Sequence, residues 1–160
     1  IMEAVTQLGG IKIIAPASVA VALYLLMKKH YMTAGGFIAA IAGGSMLSSV
    51  LKMMIHRPRP LSEATLISVS GWSFPSGHAM SSIIFYGMVA YLLVNVTDSW
   101  KLRSFFVVLA CFIAVLIGLS RIYLQVHYLS DVIAGYAGGL FWLSICITGL
   151  EVYKVKKKTL

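Results

Sequence analysis

Five long stretches without a charged residue decide what this chain can fold into: residues 13–27, 31–51, 79–97, 104–120 and 132–150. A bilayer-spanning helix takes about 20 apolar residues, with a range of about 17–25, and all the stretches but the first fall in it. The first is extended by Ile11 and Leu8 past Lys12, whose charge reaches the interface on its flexible stem. Pro16 inside it is a kink that a membrane bundle tolerates. Barrel strands would alternate with period two, and these stretches do not. Backbone amides in lipid must be satisfied internally, which leaves helices. Hydrophobic residues make up 59% of the 160 and charged residues 11%, against about 25% charged in soluble domains. So small a soluble domain has too little interior to hide that much apolar surface. The same figures exclude disorder and a disulfide scaffold. The expected fold class is all-α, an integral membrane helical bundle with five transmembrane helices, residues 1–160 forming a single domain.

Small residues punctuate two of the runs: Gly35, Gly36, Ala39, Ala40, Gly43 and Gly44 in the second, Ala134, Gly135, Gly138 and Gly139 in the fifth. At helical spacing they let backbones approach closely, so they read as packing faces rather than nucleotide loops. Cys111 and Cys146 both lie inside apolar runs and read as small core residues.

Charge sets the orientation. Lys28 and Lys29 lie between the first two runs, Lys101 and Arg103 between the third and fourth, and Lys154, Lys156, Lys157 and Lys158 after the fifth. With alternating helices all three places fall on one side, the cytoplasm by the positive-inside rule. The C-terminus is then cytoplasmic. The net charge of +8 belongs to this anchoring pattern. No nucleic-acid partner is expected, because no reading motif accompanies the charge.

The other side should be poor in Lys and Arg, yet it holds Lys52, His56, Arg57, Arg59, His78, Arg121, His127 and Asp131. Charges at the ends of apolar runs are costly and usually functional, and here they converge from three segments. His127 and Asp131 are spaced i, i+4. If a helix starts near His127 they share one face, where the carboxylate can hold one imidazole nitrogen and leave the other free to attack or ligate. Asp131 can equally cap the fifth run, and both can hold. Zinc binding by His127 and Asp131 stays open at this point, but no HExxH pattern or cysteine ligand supports it, and no cofactor is expected. Lys52, Arg59 and Arg121 gather positive charge, and the arginine fork matches phosphate oxygens. The third run opens at Pro75-Ser76-Gly77-His78, so its first amides are donors at a helix N-terminus, an anion site. His78 on that turn can protonate a leaving oxygen. Arg57 and His56 stay open between substrate contact and the headgroup region. Together these residues describe a phosphate-handling site with two histidines, which suits phosphoryl transfer through a phosphohistidine.

The clusters resemble the three-part signature of the type 2 phosphatidic acid phosphatase superfamily, which also includes vanadium haloperoxidases. Lys52 with Arg59-Pro60 is similar to the first element, Pro75-Ser76-Gly77-His78 to the second, and Ser120-Arg121, His127 and Asp131 to the third. All three stand complete and in order, within residues 45–140. The resemblance implies His127 as nucleophile, Asp131 as its orienting partner, and His78 as acid and then base. Lys52, Arg59, Ser76, Gly77 and Arg121 would bind the phosphoryl group. It also implies a metal-independent reaction inhibited by vanadate. Bacterial membrane members have six helices, so the resemblance implies that the first is missing from this chain.

The expected activity is dephosphorylation of a membrane lipid phosphate or pyrophosphate on the extracytoplasmic face of a multi-pass cell-membrane protein. The resemblance suggests undecaprenyl pyrophosphate, phosphatidylglycerophosphate and phosphatidic acid as substrates. The loop of residues 61–73, with Glu63 and Trp72, is expected to help select the headgroup. The alternative is a membrane anion transporter or channel, which needs polar residues through the bundle; the middles of the runs are apolar. A haloperoxidase is disfavoured because those members are soluble.

Overall fold

The computed structural model describes residues 1–60 and 71–159. Every regular element among the described residues is a helix: α1 (Met2–Gln7), α2 (Ile11–Met27), α3 (Tyr31–Ile55), α4 (Gly77–Asn95), α5 (Trp100–Tyr123) and α6 (Leu129–Thr159). Helices α2 to α6 fall on the five apolar runs. Four of them, α3 to α6, are long and apolar enough to cross a membrane. The 17 residues of α2 reach about 26 Å at 1.5 Å per residue.

The expectation that the first long helix runs back through Leu8 is corrected. The chain breaks at Gly9-Gly10, with Gly10 extended (φ −84°, ψ 155°) as the N-cap of α2. Leu8 instead ends α1, a short helix packed against α5. Paired glycines weaken a helix by about 1 kcal/mol each. Gly9 is also needed small, because a Cβ there would lie 2.5 Å from Ile117 Cγ2.

Helix α4 is central and packs on α3, α5 and α6. Its Met80, Ile84 and Met88 are buried, and Phe85 meets Phe37 of α3 edge-on with centroids 6.4 Å apart. The outer faces carry Val108, Phe112, Leu140 and Phe141 exposed, as helices facing lipid require. Lipid offers no hydrophobic drive between helices, so close packing has to hold the bundle. The small residues serve that end. Leu150 lies over Gly36, Trp142 over Gly43 and Ile84 over Gly44. Trp142 also donates its indole N–H to the Ala40 carbonyl at 3.1 Å.

A close approach to backbone joins α6 to the start of α4. A Cβ on Gly135 would fall 2.6 Å from the Ser76 carbonyl oxygen and 3.1 Å from Ala79 Cβ. Backbone cannot yield as a side chain does, so Gly135→Ala is expected to cost about 1–3 kcal/mol. Three residues on, a Cβ at Gly138 meets only the flexible end of Met80 at 3.6 Å, so Gly138→Ala should match the parent or exceed it by up to about 1 kcal/mol. Thermal unfolding of the two variants in detergent checks the contrast; equal melting temperatures would contradict this packing.

Helices α4 and α6 are also tied at their other end. Lys154 donates to Glu151 Oε1 and Tyr91 Oη, both at 2.8 Å, and to Asn95 Oδ1 at 3.0 Å. Lys28, Lys29, Lys101 and Arg103 belong to this end through the helix directions, opposite the cluster described next.

Candidate active site

The cluster lies where α3 and α5 finish and α4 and α6 begin. Lys52 is in the last turn of α3, Arg121 in the last turn of α5 and Asp131 in the first turn of α6, each of the sign that the local helix dipole favours. Left-handed residues end the two incoming helices. His56 (φ 49°) closes α3 and turns the chain into Arg57–Pro60. Gln125 (φ 55°) follows α5, and Val126 N–H returns to the Arg121 carbonyl at 3.2 Å, which brings His127 across the site.

His127 therefore precedes α6 rather than sharing a helical face with Asp131, which corrects the first expectation for the pair. Its Nδ1 is 3.5 Å from Asp131 Oδ2. Ser73 Oγ stands between them, donating to Asp131 Oδ2 at 2.5 Å and lying 3.3 Å from Nδ1. The capping role of Asp131 also holds: Oδ2 accepts the Tyr128 N–H at 2.9 Å, the return half of a capping box. Its backbone carbonyl accepts Ser76 N–H at 2.9 Å, which seats the Pro75–His78 turn against α6.

Arg57 and His56 resolve away from the phosphate set. Arg57 Nη1 donates to Asp131 Oδ1 at 2.8 Å and Ser130 Oγ at 2.7 Å, and its guanidinium covers the Tyr128 ring at 4.2 Å. His56 packs edge-on against Trp72, centroids 4.7 Å apart.

Of the expected phosphate binders, Arg59 lies against His127. Its Nη1 donates to the Val126 carbonyl at 2.8 Å and lies 3.2 Å from His127 Nε2, while Nε donates to the Gly71 carbonyl at 3.0 Å. Lys52 Nζ donates to the carbonyls of Trp72 (2.9 Å) and Pro75 (2.8 Å), so both cations clasp the loop leading to α4. Arg121 is buried, with Nη1 donating to Thr6 Oγ1 of α1 at 2.7 Å. The buried Ser76 Oγ and Arg121 Nε have no hydrogen-bond partner among the described residues, two donors of the kind an anion satisfies. Gly77 opens α4 with Ser76 as N-cap, so the first amides of the helix have no intrahelical acceptor. His78 and His127 both feel the charges of Lys52, Arg59 and Arg121.

Burial and then those three cations push the His127 imidazole well below its ordinary value of 6.5. A lowered histidine pKa keeps the ring neutral at neutral pH and for some way below, the form with a lone pair to attack. Burial also lowers Arg59 from its ordinary value.

A cavity of about 650 Å³ opens between α2, α3 and α4. Its walls are mostly apolar, including Ile14, Val19, Phe37 and Ile41, and it ends at Gly77, His78 and Ser48. Among the described residues no group of three His, Cys, Asp or Glu is placed to hold a metal ion. Glu63 lies outside the described residues. Sequence reasoning missed Ser73 and Thr6, whose partners lie 58 and 115 residues away.

The family model of the PAP2 superfamily matches residues 33–153, about three quarters of the chain. The chain is 35% identical to phosphatidylglycerophosphatase B of Bacillus subtilis, over 98% of this chain and 76% of that protein. It is 32% identical to lipid A 4'-phosphatase of Bacteroides thetaiotaomicron, over 76% of this chain but only 58% of that protein's length. The crystal structure of a transmembrane PAP2 type phosphatidylglycerolphosphate phosphatase from B. subtilis superposes with a TM-score of 0.86 at 32% identity, covering 94% of this chain and 75% of that one. A family match over most of the chain, with a relative alike along nearly all of it, makes this helical membrane protein a member of the PAP2 superfamily.

Proposed function

We propose that the chain is a lipid phosphatase that hydrolyses a membrane lipid phosphate or pyrophosphate through a phosphohistidine on His127. The observation that carries this is the junction of an apolar cavity of about 650 Å³ with the histidine and cation cluster at His78. An apolar tail and an anionic head would be held side by side there. The names of the relatives, phosphatidylglycerophosphatase B and lipid A 4'-phosphatase, support the same substrate class. Helices α1, α3, α4, α5 and α6 contribute to this one cluster and α2 to the cavity beside it, which supports reading residues 1–160 as a single catalytic domain.

In the proposed reaction Lys52, Arg59, Arg121, Ser76 Oγ and the Gly77 amide hold the phosphoryl oxygens. His127 Nε2 forms a bond to phosphorus as the bond to the lipid oxygen breaks. His78 gives that oxygen a proton and the lipid alcohol, or the shorter phosphate, departs. His78 then takes a proton from water, whose oxygen attacks phosphorus. The P–N bond breaks, and phosphate and free His127 are released. The positive charge that offsets the developing anion comes from the three cations in a partly dehydrated site, where preorganised charge is worth more than in water.

The test is phosphate release by the purified protein in detergent with EDTA. The panel is phosphatidylglycerophosphate, undecaprenyl pyrophosphate, phosphatidic acid and a soluble phosphate ester. Release from at least one lipid, faster than from the soluble ester, is expected. Release from the soluble ester alone would overturn the lipid assignment, and release from none the phosphatase reading.

The proposed orientation has the site extracytoplasmic and the C-terminus cytoplasmic, with the lysines of the opposite end inside. With Cys111 and Cys146 replaced, a cysteine at Glu63 should react with an impermeant thiol reagent on intact cells. Labelling only after lysis would invert the topology.

A further inference from the structure

We propose that Ser73 is a positioning residue for the nucleophile, linking His127 to Asp131 and fixing Nε2 as the attacking nitrogen. The inference rests on the reading that His127 attacks. Ser73, not Asp131, is the nearer partner of the ring: Nδ1 lies 3.3 Å from Ser73 Oγ and 3.5 Å from Asp131 Oδ2, where an N–H···O bond is weak. The Asp131 oxygens are already engaged. Oδ1 accepts from Arg57 at 2.8 Å, and Oδ2 accepts from Ser73 at 2.5 Å and from the Tyr128 amide at 2.9 Å.

The proton positions follow from donor and acceptor types. A carboxylate only accepts, so the hydroxyl proton of Ser73 points at Asp131 and its lone pairs face Nδ1, 3.3 Å away. On the other side of the ring Arg59 Nη1 lies 3.2 Å from Nε2. A guanidinium has no acceptor, so Nε2 must present its lone pair there. A neutral ring with its lone pair on Nε2 carries its proton on Nδ1, which Ser73 Oγ accepts. Both sides of the imidazole thus demand the same tautomer. Ser73 has no freedom to leave: it is fully buried, and its N–H donates to the Arg57 carbonyl at 2.8 Å. Arg57 therefore holds the serine with its backbone and the aspartate with its side chain. As the P–N bond forms, the ring gains positive charge, and the Ser73–Asp131 link steadies it.

The test uses Ser73→Ala, with Ser73→Cys as the second variant because it keeps near-native volume and bonds weakly. Removing a partner that orients a metal-bound imidazole typically costs about 10–100-fold in affinity or activity, and a loss of that order follows for a reacting one. That loss is expected in kcat, with KM within about twofold, and in the rate of phosphoenzyme formation rather than its hydrolysis. Asp131→Asn added to Ser73→Ala should cost much less than the product of the single losses. Spectra of the protein labelled with 15N-histidine should show His127 protonated on Nδ1 in the parent, with that tautomer depleted in both Ser73 variants. Parental kcat and tautomer in either folded variant would overturn the proposal, as would full additivity with Asp131→Asn. The tautomer is read without turnover, so the link can fail while His127→Ala still abolishes activity. Should His127→Ala stay active, the nucleophile assignment fails instead.

Discussion

His127→Ala is expected to lose at least about 10⁴-fold in kcat while the bundle still purifies folded and monodisperse in detergent. The size follows from the role. A residue that forms the covalent bond has no understudy, and what remains is the smaller catalysis that binding and charge give without a nucleophile. The fold should survive because His127 belongs to no helix. Its contacts are with Ser73, Arg59 and Asp131. Removing the ring leaves a cavity at the bundle's end, a cost of order 2–4 kcal/mol that melting in detergent reports separately from turnover. Activity above about 1% of the parent would remove His127 as nucleophile, since a positioning role alone would explain so small a loss.

His78→Ala carries the second-largest expected effect, about 10²–10⁴-fold, the usual range for a positioned acid or base. The loss should depend on the leaving group. A lipid alkoxide leaves poorly and needs the proton, whereas a nitrophenolate leaves without one. The variant should therefore form phosphoenzyme almost normally from nitrophenyl phosphate, and then hydrolyse it slowly for want of a base. Phosphoenzyme accumulating from the activated ester, but not from the lipid, is the expected signature. An equal loss of phosphoenzyme formation from both substrates would argue against the acid role and leave His78 as a phosphate binder. The position suits the assignment: His78 is in the first turn of α4, at the end of the apolar cavity.

The helices were legible because a bilayer writes its demand plainly. Each of the five apolar runs became one of α2 to α6, though the ends moved: α4 stops at Asn95, short of its run, and α6 continues to Thr159, well past its own. The site's raw material was legible too, since charges at the ends of apolar runs need a reason. What escaped was whatever depends on contacts across the fold. Ser73 is one serine in a stretch with no periodicity, and only the folded chain sets it against partners 54 and 58 residues on. Arg57 and Arg59 look alike in sequence, yet the αL turn at His56 sends one to Asp131 and the other to His127. The break at Gly9-Gly10 was hidden because apolar Leu8 and Ile11 flank it. Its purpose, letting α1 bring Thr6 to Arg121 while Gly9 passes under Ile117, is tertiary.

The central claim is that the phosphoryl group rests on His127, and it can be caught there. The measurement is a base quench, within the first turnovers, of the parent and His78→Ala with lipid carrying a labelled terminal phosphate, followed by mapping of the label. A P–N bond survives base and is lost in acid. The account predicts base-stable, acid-labile label on the peptide holding His127, more of it in His78→Ala with an activated ester, and none in His127→Ala. Label on another residue, or rapid lipid turnover with no labelled protein at any time, would contradict it.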